Sequence, residues 1–197
     1  MGPPPRNRRL PRIERRATII DAAGRVFGER GYDATRLDDI AAAAGVTKPV
    51  LYRHFADKRA LYLALLERHR EDLGSFRAVV PPTGTVEERT RAVLEVWVAY
   101  VAEHHYAWKL LFRDRGGGPE IQALRDEVHA RARAVLIDMI RLLAETPIPE
   151  RELEPLAELL GRGMANLMLW AMDEGRLGDE VLVDAMTRVW AGVLGRR

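Results

Sequence analysis

The segment from Thr47 to Phe55 carries side chains that could read the edges of nucleic-acid bases. Thr47, Lys48 and Pro49 open it, and Lys48 is the strongest candidate because an ammonium group can donate hydrogen bonds to the acceptor atoms of guanine. Apolar residues recur at helical spacing on the other side and are predicted to face a core. They are Val50, Leu51 and Phe55. Core building alone does not explain a helix so short and so basic at its exposed start.

A preceding helix and a tight turn must hold this segment in place. Thr35 is a candidate N-cap, with Asp38 in the positive first turn of the helix that follows. The apolar residues of that helix fall at i, i+3, i+4 and i+7 and predict one narrow apolar face. They are Leu37, Ile40, Ala41 and Ala44. Gly45 can end the helix in the left-handed conformation, and two helices across such a turn form the helix-turn-helix that enters a DNA major groove.

The run resembles the DNA-binding signature of the TetR family of bacterial transcriptional regulators. The matching positions are Thr35, Ile40, Ala41, Ala44, Gly45, Val46, Thr47, Leu51, Tyr52, His54, Phe55 and Lys58. Pro49 departs from the family, which often has Gly or Ala there, and it favours apolar contact with a base such as thymine. The resemblance implies a sequence-specific DNA-binding regulator of transcription.

The resemblance also implies phosphate contacts around the two helices. Tyr52, His54 and Lys58 are similar to the phosphate-contacting positions of the family, and Thr35 and Arg36 join them at the N-terminus of the first helix. A buried structural role for His54 stays open, because histidine serves both purposes in proteins.

Composition excludes several classes of protein and localises the positive charge. Residues 1–80 contain 16 Lys and Arg against 10 Asp and Glu, whereas residues 81–197 contain 15 against 19. This asymmetry is expected if only one end of the molecule meets phosphates. The absence of cysteine excludes disulfides and thiolate metal sites, and no motif predicts a metal or a cofactor. No apolar run has membrane length or the pattern of a secretory signal, so we expect a cytoplasmic protein.

Helical periodicity continues along the chain and predicts an all-α fold of about nine helices. A proline-rich and arginine-rich arm over residues 1–11 is expected to be flexible, and it is either a DNA contact or a solvated tail. Residues 12–57 are predicted to form the helix-turn-helix domain, and residues 58–197 a ligand-binding and dimerisation domain. The linking helix from Lys58 to Phe76 is expected to touch both.

The last two predicted helices, residues 152–173 and 179–195, are apolar on more than one face. Such helices are buried on more than one side, and two antiparallel helices of this kind pair with a symmetry mate as a four-helix bundle. We therefore expect a homodimer through these helices, with completion of the monomer core as the alternative. A dimer would read a pseudo-palindromic operator with half-sites about one helical turn apart.

The resemblance further implies a cavity for a small-molecule effector in the second half. Seven residues would suit an apolar, adaptable pocket with a few polar groups. They are Trp97, Tyr100, His104, Phe112, Met139, Met164 and Met168. The alternative for each is a place in the ordinary core. Effector binding is expected to pivot the linking helix and release a repressor from its operator, with a coupling of about 1–3 kcal/mol.

Two other functions remain as alternatives. An all-helical enzyme is disfavoured, because the five histidines form no HExxH motif and no nucleophile and base are recognisable. An activator, or a DNA-binding protein without an effector, would carry the same helix-turn-helix and stays open.

Overall fold

Nine α-helices build the part of the chain that the computed structural model describes, residues 11–176 and 180–195. In chain order they are α1 (Arg12–Ala34), α2 (Leu37–Ala43), α3 (Lys48–His54), α4 (Lys58–Ser75), α5 (Val86–Glu103), α6 (His105–Phe112), α7 (Gly118–Leu143), α8 (Glu150–Asp173) and α9 (Glu180–Leu194). The predicted all-α class is confirmed. None of these helices combines the length and the apolar character needed to cross a membrane. The predicted arm lies outside the described residues apart from Pro11.

The turn between α2 and α3 has the predicted geometry. Gly45 has a φ of +63°, in the left-handed region that disfavours a side chain. The Val46 N–H donates to the Ala41 carbonyl at 3.0 Å and closes the end of α2. Thr47 is the N-cap residue of α3, and Pro49 lies in its first turn. Gly45 therefore allows two seven-residue helices to meet across a very short connection.

Thr35 does not cap α2, so that prediction is wrong. Its side chain is buried, and its hydroxyl donates to the Gly31 carbonyl at 2.7 Å. Gly31 has a φ of +77° and interrupts α1, which leaves carbonyl groups there without helical partners. Arg36 takes the N-cap position of α2 instead. The Thr35 hydroxyl bonds to a carbonyl of α1 and not to an N–H of α2. A buried carbonyl without a hydrogen bond costs more free energy than an N–H that water can reach.

Lys58 closes the same end of α1 from the other side. Its Nζ donates to the carbonyls of Tyr32, Asp33 and Thr35 at 2.9, 3.3 and 3.2 Å. It also lies 4.5 Å from the centre of the Tyr32 ring. Three carbonyls match the three N–H donors of an ammonium group. Because Lys58 is the first residue of α4, it anchors that helix to α1.

The unit formed by α1–α3, called the head below, shares its core with the helices that follow. A Cβ atom on Gly24 would lie 2.1 Å from the Tyr106 ring, and one on Gly28 would lie 2.9 Å from the Tyr106 Cα. These glycines are one turn apart and form a groove on α1 that receives α6. Buried residues of α4, α6 and the start of α7 complete the same core. The helices α5–α9, called the body, have a second core of their own.

A buried ion pair joins the head to the body. The Arg125 side chain, 1% exposed, bonds to the Asp114 carboxylate and to the Tyr62 hydroxyl, each at 3.1 Å. Asp114 also accepts a hydrogen bond from the Tyr32 backbone N–H at 2.8 Å. Arg125 belongs to α7, Tyr62 to α4 and Tyr32 to the end of α1. One guanidinium group therefore holds three elements together.

A polar cluster is buried where α4, α5 and α6 meet. The Tyr100 hydroxyl donates to Asp72 at 3.1 Å, so its oxygen accepts from Nδ1 of His69 at 2.7 Å. Nε2 of His69 is then the deprotonated nitrogen, and it has no partner in the described part of the chain. Burial, and then the nearby His104 and Arg68, lower the pKa of His69 to about 3. His69 is therefore neutral at pH values near 7.

We expect His69 to make the free energy of unfolding depend on pH. The unfolded chain binds a proton at His69 below a pKa of 6.5, whereas the folded protein does so only at about pH 3. The contribution of His69 to the free energy of unfolding is therefore fully present above pH 6.5. It is lost as the pH falls from 6.5 to about 3, by up to about 1.4 kcal/mol per pH unit. Chemical denaturation of wild type and His69→Gln at about pH 7, 6 and 5 measures this slope.

The His69→Gln variant should have the shallower slope, because glutamine keeps an N–H for the Tyr100 hydroxyl but does not titrate. His105→Gln is the matched control, since His105 is exposed on α6, and it should keep the wild-type slope. Equal slopes for wild type and His69→Gln would contradict the neutral, buried state of His69.

Candidate nucleic-acid interface and cavity

The exposed side of α3 presents the residues that the sequence analysis assigns to base contacts. Thr47, Lys48 and Pro49 are exposed at its start, and Tyr52 is half exposed one turn later. Leu51 on the opposite side is fully buried, which fixes the rotation of the helix. The Thr47 hydroxyl makes no capping hydrogen bond to α3. The structure thus brings four predicted contact residues to the solvent side of one short helix.

Lys48 is paired with an acid of the neighbouring helix. Its Nζ lies 2.8 Å from the Asp38 carboxylate, and both side chains are about half exposed. This hydrogen bond is the main cause of the raised pKa of Lys48 and of the lowered pKa of Asp38. Because solvent-exposed ion pairs contribute little free energy, Lys48 can exchange Asp38 for an acceptor on a base.

Four arginines lie near His54 at the end of α3, and none of them is among the eight DNA-contacting residues named from the helix-turn-helix pattern. They are Arg12, Arg15, Arg16 and Arg53. Burial, followed by these positive charges, lowers the pKa of the partly buried His54. Three of them occur at i, i+3 and i+4 of α1, a spacing that indicates one basic helix face. The four arginines and His54 are called the basic patch below.

Two of the predicted phosphate contacts are used inside the protein instead. The Thr35 hydroxyl is bonded to Gly31, and the Lys58 ammonium group is bonded to three backbone carbonyls. Both side chains therefore serve the irregular end of α1, which helical periodicity does not reveal. Arg36 is exposed at the start of α2, as the sequence analysis expects.

A cavity of about 520 Å³ lies among the helices of the body. This volume is within the range of small-molecule sites, about 300–1,000 Å³. Four of the seven predicted ligand-binding residues line it, namely Trp97, Phe112, Met139 and Met164. Sequence reasoning missed other lining residues, among them Trp108, His129, Arg133, Glu158, Arg162 and Trp190.

The structure corrects the predicted place of the other three residues. Tyr100 bonds to His69, and the His104 ring lies edge-on to the His69 ring, so both belong to the buried polar cluster. Met168 is fully buried in the core of the body. None of the three lines the cavity. Helical periodicity identifies an inward face, but it does not divide that face between a cavity and a solid core.

The cavity changes from an aromatic interior to a charged rim. Successive ring centroids are separated by 5.4, 4.9 and 4.8 Å along the series Trp97, Trp108, Phe112 and His129. Arg133 follows one turn after His129 on α7 and lies 3.5 Å from the Glu158 carboxylate of α8. Arg162 bonds to the same carboxylate. Two cations thus share one acid at the rim.

Apolar side chains are exposed along α8 and α9. Leu159 of α8 is 68% exposed and Val189 of α9 is 59% exposed, and Trp170 is partly exposed as well. Nothing lies within 4 Å of a Cβ atom built on Gly163 or Gly192, so these positions leave the surface open. Large exposed apolar residues on two successive helices are typical of an interaction surface.

Comparison with known proteins identifies the helix-turn-helix region. Residues 19–65 match the model of bacterial regulatory proteins of the tetR family. The HTH-type transcriptional activator FasR of Mycolicibacterium smegmatis is 43% identical over 110 residues, which cover 55% of this chain and 50% of FasR. The match thus spans about half the length of this relative.

Solved structures match over nearly the whole chain. A TetR-like transcriptional regulator from Rhodococcus sp. RHA1 has a TM-score of 0.73 and 28% identity, covering 95% of this chain and 100% of that one. FadR from Bacillus subtilis, in complex with stearoyl-CoA, has a TM-score of 0.69 and 17% identity, covering 89% and 97%, which is a likeness of fold alone. Residues 19–65 therefore match the DNA-binding region of the tetR family of bacterial regulatory proteins, and the whole chain has the fold of a TetR-like regulator.

Proposed function

We propose that the chain is a sequence-specific DNA-binding regulator of transcription that works as a homodimer and responds to a small, mainly apolar effector. The exposed side of α3 carries the proposal, because Thr47, Lys48, Pro49 and Tyr52 face solvent on a helix too short to serve mainly as core. In this proposal the protein acts on chromosomal DNA and therefore in the cytoplasm.

In this proposal α3 enters the major groove with its first residues on the base edges. Lys48 leaves Asp38 and donates to guanine, while Tyr52 and the basic patch bind phosphates on either side. Arg36 contacts the backbone from the start of α2. The basic patch supplies the salt-dependent part of the affinity, and Lys48 supplies part of the sequence dependence.

The exposed apolar residues of α8 and α9 hold the two copies together. An isologous interface repeats one face around a two-fold axis, so Leu159 and Val189 of each copy become buried. The apolar area removed from water stabilises the pair by roughly 25 cal/mol per Å². The same axis presents two copies of α3 to half-sites about one helical turn apart.

Helix α7 carries the effector signal to the head. Gln122 and Asp126 line the cavity and flank Arg125, which holds Asp114 and Tyr62. An occupant that moves Gln122 removes an acceptor that lies 3.5 Å from Arg125. The tie between body and head then changes, and with it the separation of the two heads. In this route α7 and α1 move together with α4, the linking helix that the sequence analysis expects to pivot.

Repression relieved by the effector is the first form of this proposal, and activation is the second. FasR is named as an activator, and its likeness to this chain is the reason to test the second form as well. In the first form the separation of the heads fits the operator when the cavity is empty. In the second form it fits the operator when the effector is bound. The stearoyl-CoA held by FadR of Bacillus subtilis provides a probe that can decide between them.

We expect Lys48→Ala to lower operator affinity at least about tenfold, because a base contact of this kind discriminates by about 1–3 kcal/mol. Fluorescence anisotropy measures this with labelled fragments of the DNA that flanks the gene, against unrelated DNA of the same length. Lys109→Ala removes a positive charge from α6 and is the matched control. Equal affinity of wild type and Lys48→Ala for the flanking DNA would contradict the role of α3.

Two glutamates on the apolar face should separate the dimer. The double variant Leu159→Glu, Val189→Glu would bury like charges on both copies. Light scattering should give the single-chain mass of 22.3 kDa instead of twice that value, and operator binding should weaken. Val96→Glu, at an exposed apolar residue of α5, should leave the dimer intact. The interface is wrong if wild type is monomeric or if the double variant stays dimeric.

Stearoyl-CoA tests the coupling and its sign. We expect it to lower the operator affinity of wild type by roughly 5- to 150-fold, the range of a coupling of about 1–3 kcal/mol. Asp114→Asn should reduce this factor without changing the affinity for stearoyl-CoA, since it weakens the tie to Arg125 and lies outside the cavity. An increase in operator affinity would support the activator. No change at saturation would exclude this coupling.

A further inference from the structure

We propose that the cavity selects amphiphiles with an anionic head group and a carbonyl group at the start of an apolar tail, and that Glu158 is a built-in competitor for the head-group site. This inference rests on the proposed function, because it takes the cavity as the effector site.

The interior of the cavity suits an apolar tail. Its inner wall is formed by residues that are less than a tenth exposed, namely Phe76, Trp97, Met139, Met164 and Trp190. Methionine and aromatic side chains adapt their shape to a flexible apolar chain. The ring series from Trp97 to His129 then leads from this interior towards the rim.

The rim suits an anion. Arg133 and Arg162 line the cavity with their side chains still partly in water. Two guanidinium groups that converge on one carboxylate form the arrangement that binds carboxylate or phosphate groups. The other acid of the lining, Asp126, accepts a hydrogen bond from Gln122 at 2.9 Å. It lies seven residues before Arg133 on α7, about 10 Å along the helix axis.

Glu158 occupies the place of the ligand's anion. Its bonds to Arg162 and then to Arg133 lower the pKa of Glu158, so it is ionised at neutral pH. A neutral ligand gains nothing from arginines that Glu158 already holds. An anionic head group can exchange with Glu158 and keep both cations paired, which avoids the penalty of an unpaired charge. Glu154, 3.8 Å from Arg133, is a weaker second competitor.

Trp108 provides a hydrogen-bond donor between the interior and the rim. It is 8% exposed, and its Nε1–H has no acceptor among the described residues. A buried donor without a partner is unfavourable, and a carbonyl oxygen on the ligand would satisfy it. In the ring series only Phe112 stands between Trp108 and His129. The donor is therefore near the place where a head group and a tail would join.

Isothermal titration calorimetry on the full-length protein without DNA tests the inference. Laurate, lauroyl-CoA and dodecanol share one tail, but the first carries a carboxylate, the second phosphates and a thioester carbonyl, and the third neither. We expect at least one anionic ligand to bind about tenfold or more tightly than dodecanol. Tighter binding of laurate identifies a carboxylate site, and tighter binding of lauroyl-CoA identifies a phosphate site.

Four variants separate a head-group site from general damage. Arg133→Gln and Arg162→Gln should each weaken the preferred anionic ligand by about fivefold or more, whereas Glu158→Gln should strengthen it by roughly three- to tenfold. Trp108→Phe keeps a ring without the N–H and should weaken the same ligand roughly threefold. The variants at Arg133, Arg162 and Glu158 should leave the affinity for dodecanol unchanged, because dodecanol has no charge to exchange with Glu158. Opposite signs for Glu158→Gln and the arginine variants cannot come from misfolding.

Arg131→Gln is the control, because Arg131 is exposed on α7 and does not line the cavity. Equal affinities for the three ligands, no binding of any of them, or weaker binding by Glu158→Gln would overturn the head-group site. If the variants change ligand affinity as expected but no ligand changes operator affinity, the head-group site would be upheld and the proposed regulation would be overturned. If operator affinity responds to another molecule but laurate, lauroyl-CoA and dodecanol bind equally, the proposed regulation would stand and the head-group site would be overturned.

Discussion

A guanidinium group that is removed from water must keep its counter-ion, and this requirement at Arg125 determines how head and body are joined. Asp114 meets it from the loop before α7, and Tyr62 adds a neutral acceptor from α4. Breaking such a buried pair by removing one partner costs about 3–5 kcal/mol. The head can therefore move relative to the body only if Asp114 and Arg125 stay paired, or if another acid replaces Asp114 as the counter-ion of Arg125.

The hydrophobic core of the head also joins it to the body. The head does not hang from the body by a flexible linker, because α4, α6 and the start of α7 contribute to its core. Tyr106 fills the groove of Gly24 and Gly28, so α6 cannot slide along α1 without a clash. The cavity and the head thus share the helices α6 and α7 as common walls. A change of cavity shape reaches the head through packed atoms.

Local sequence signals were sufficient where the structure is local. The exposed side of α3 follows from helical spacing, from Gly45 and from Pro49 over about ten residues. Lys58 could not be placed in this way, because its partners lie 23 to 26 residues away at an irregular helix end. Tyr100 was correctly placed on an inward face, but its neighbours come from α4. The rim pair of Arg133 and Glu158 depends on how α7 packs on α8, which no motif encodes.

The placement of the tryptophans gives the chain an intrinsic optical reporter. Three of its four indoles, Trp97, Trp108 and Trp190, line the cavity, whereas Trp170 lies on the partly exposed side of α8. Indole emission shifts in colour and intensity with the polarity around the ring. Filling the cavity would therefore alter the emission of three rings, and covering α8 would alter that of the fourth. Occupancy and self-association could be followed in unlabelled protein by replacing Trp170 with phenylalanine and comparing the two spectra.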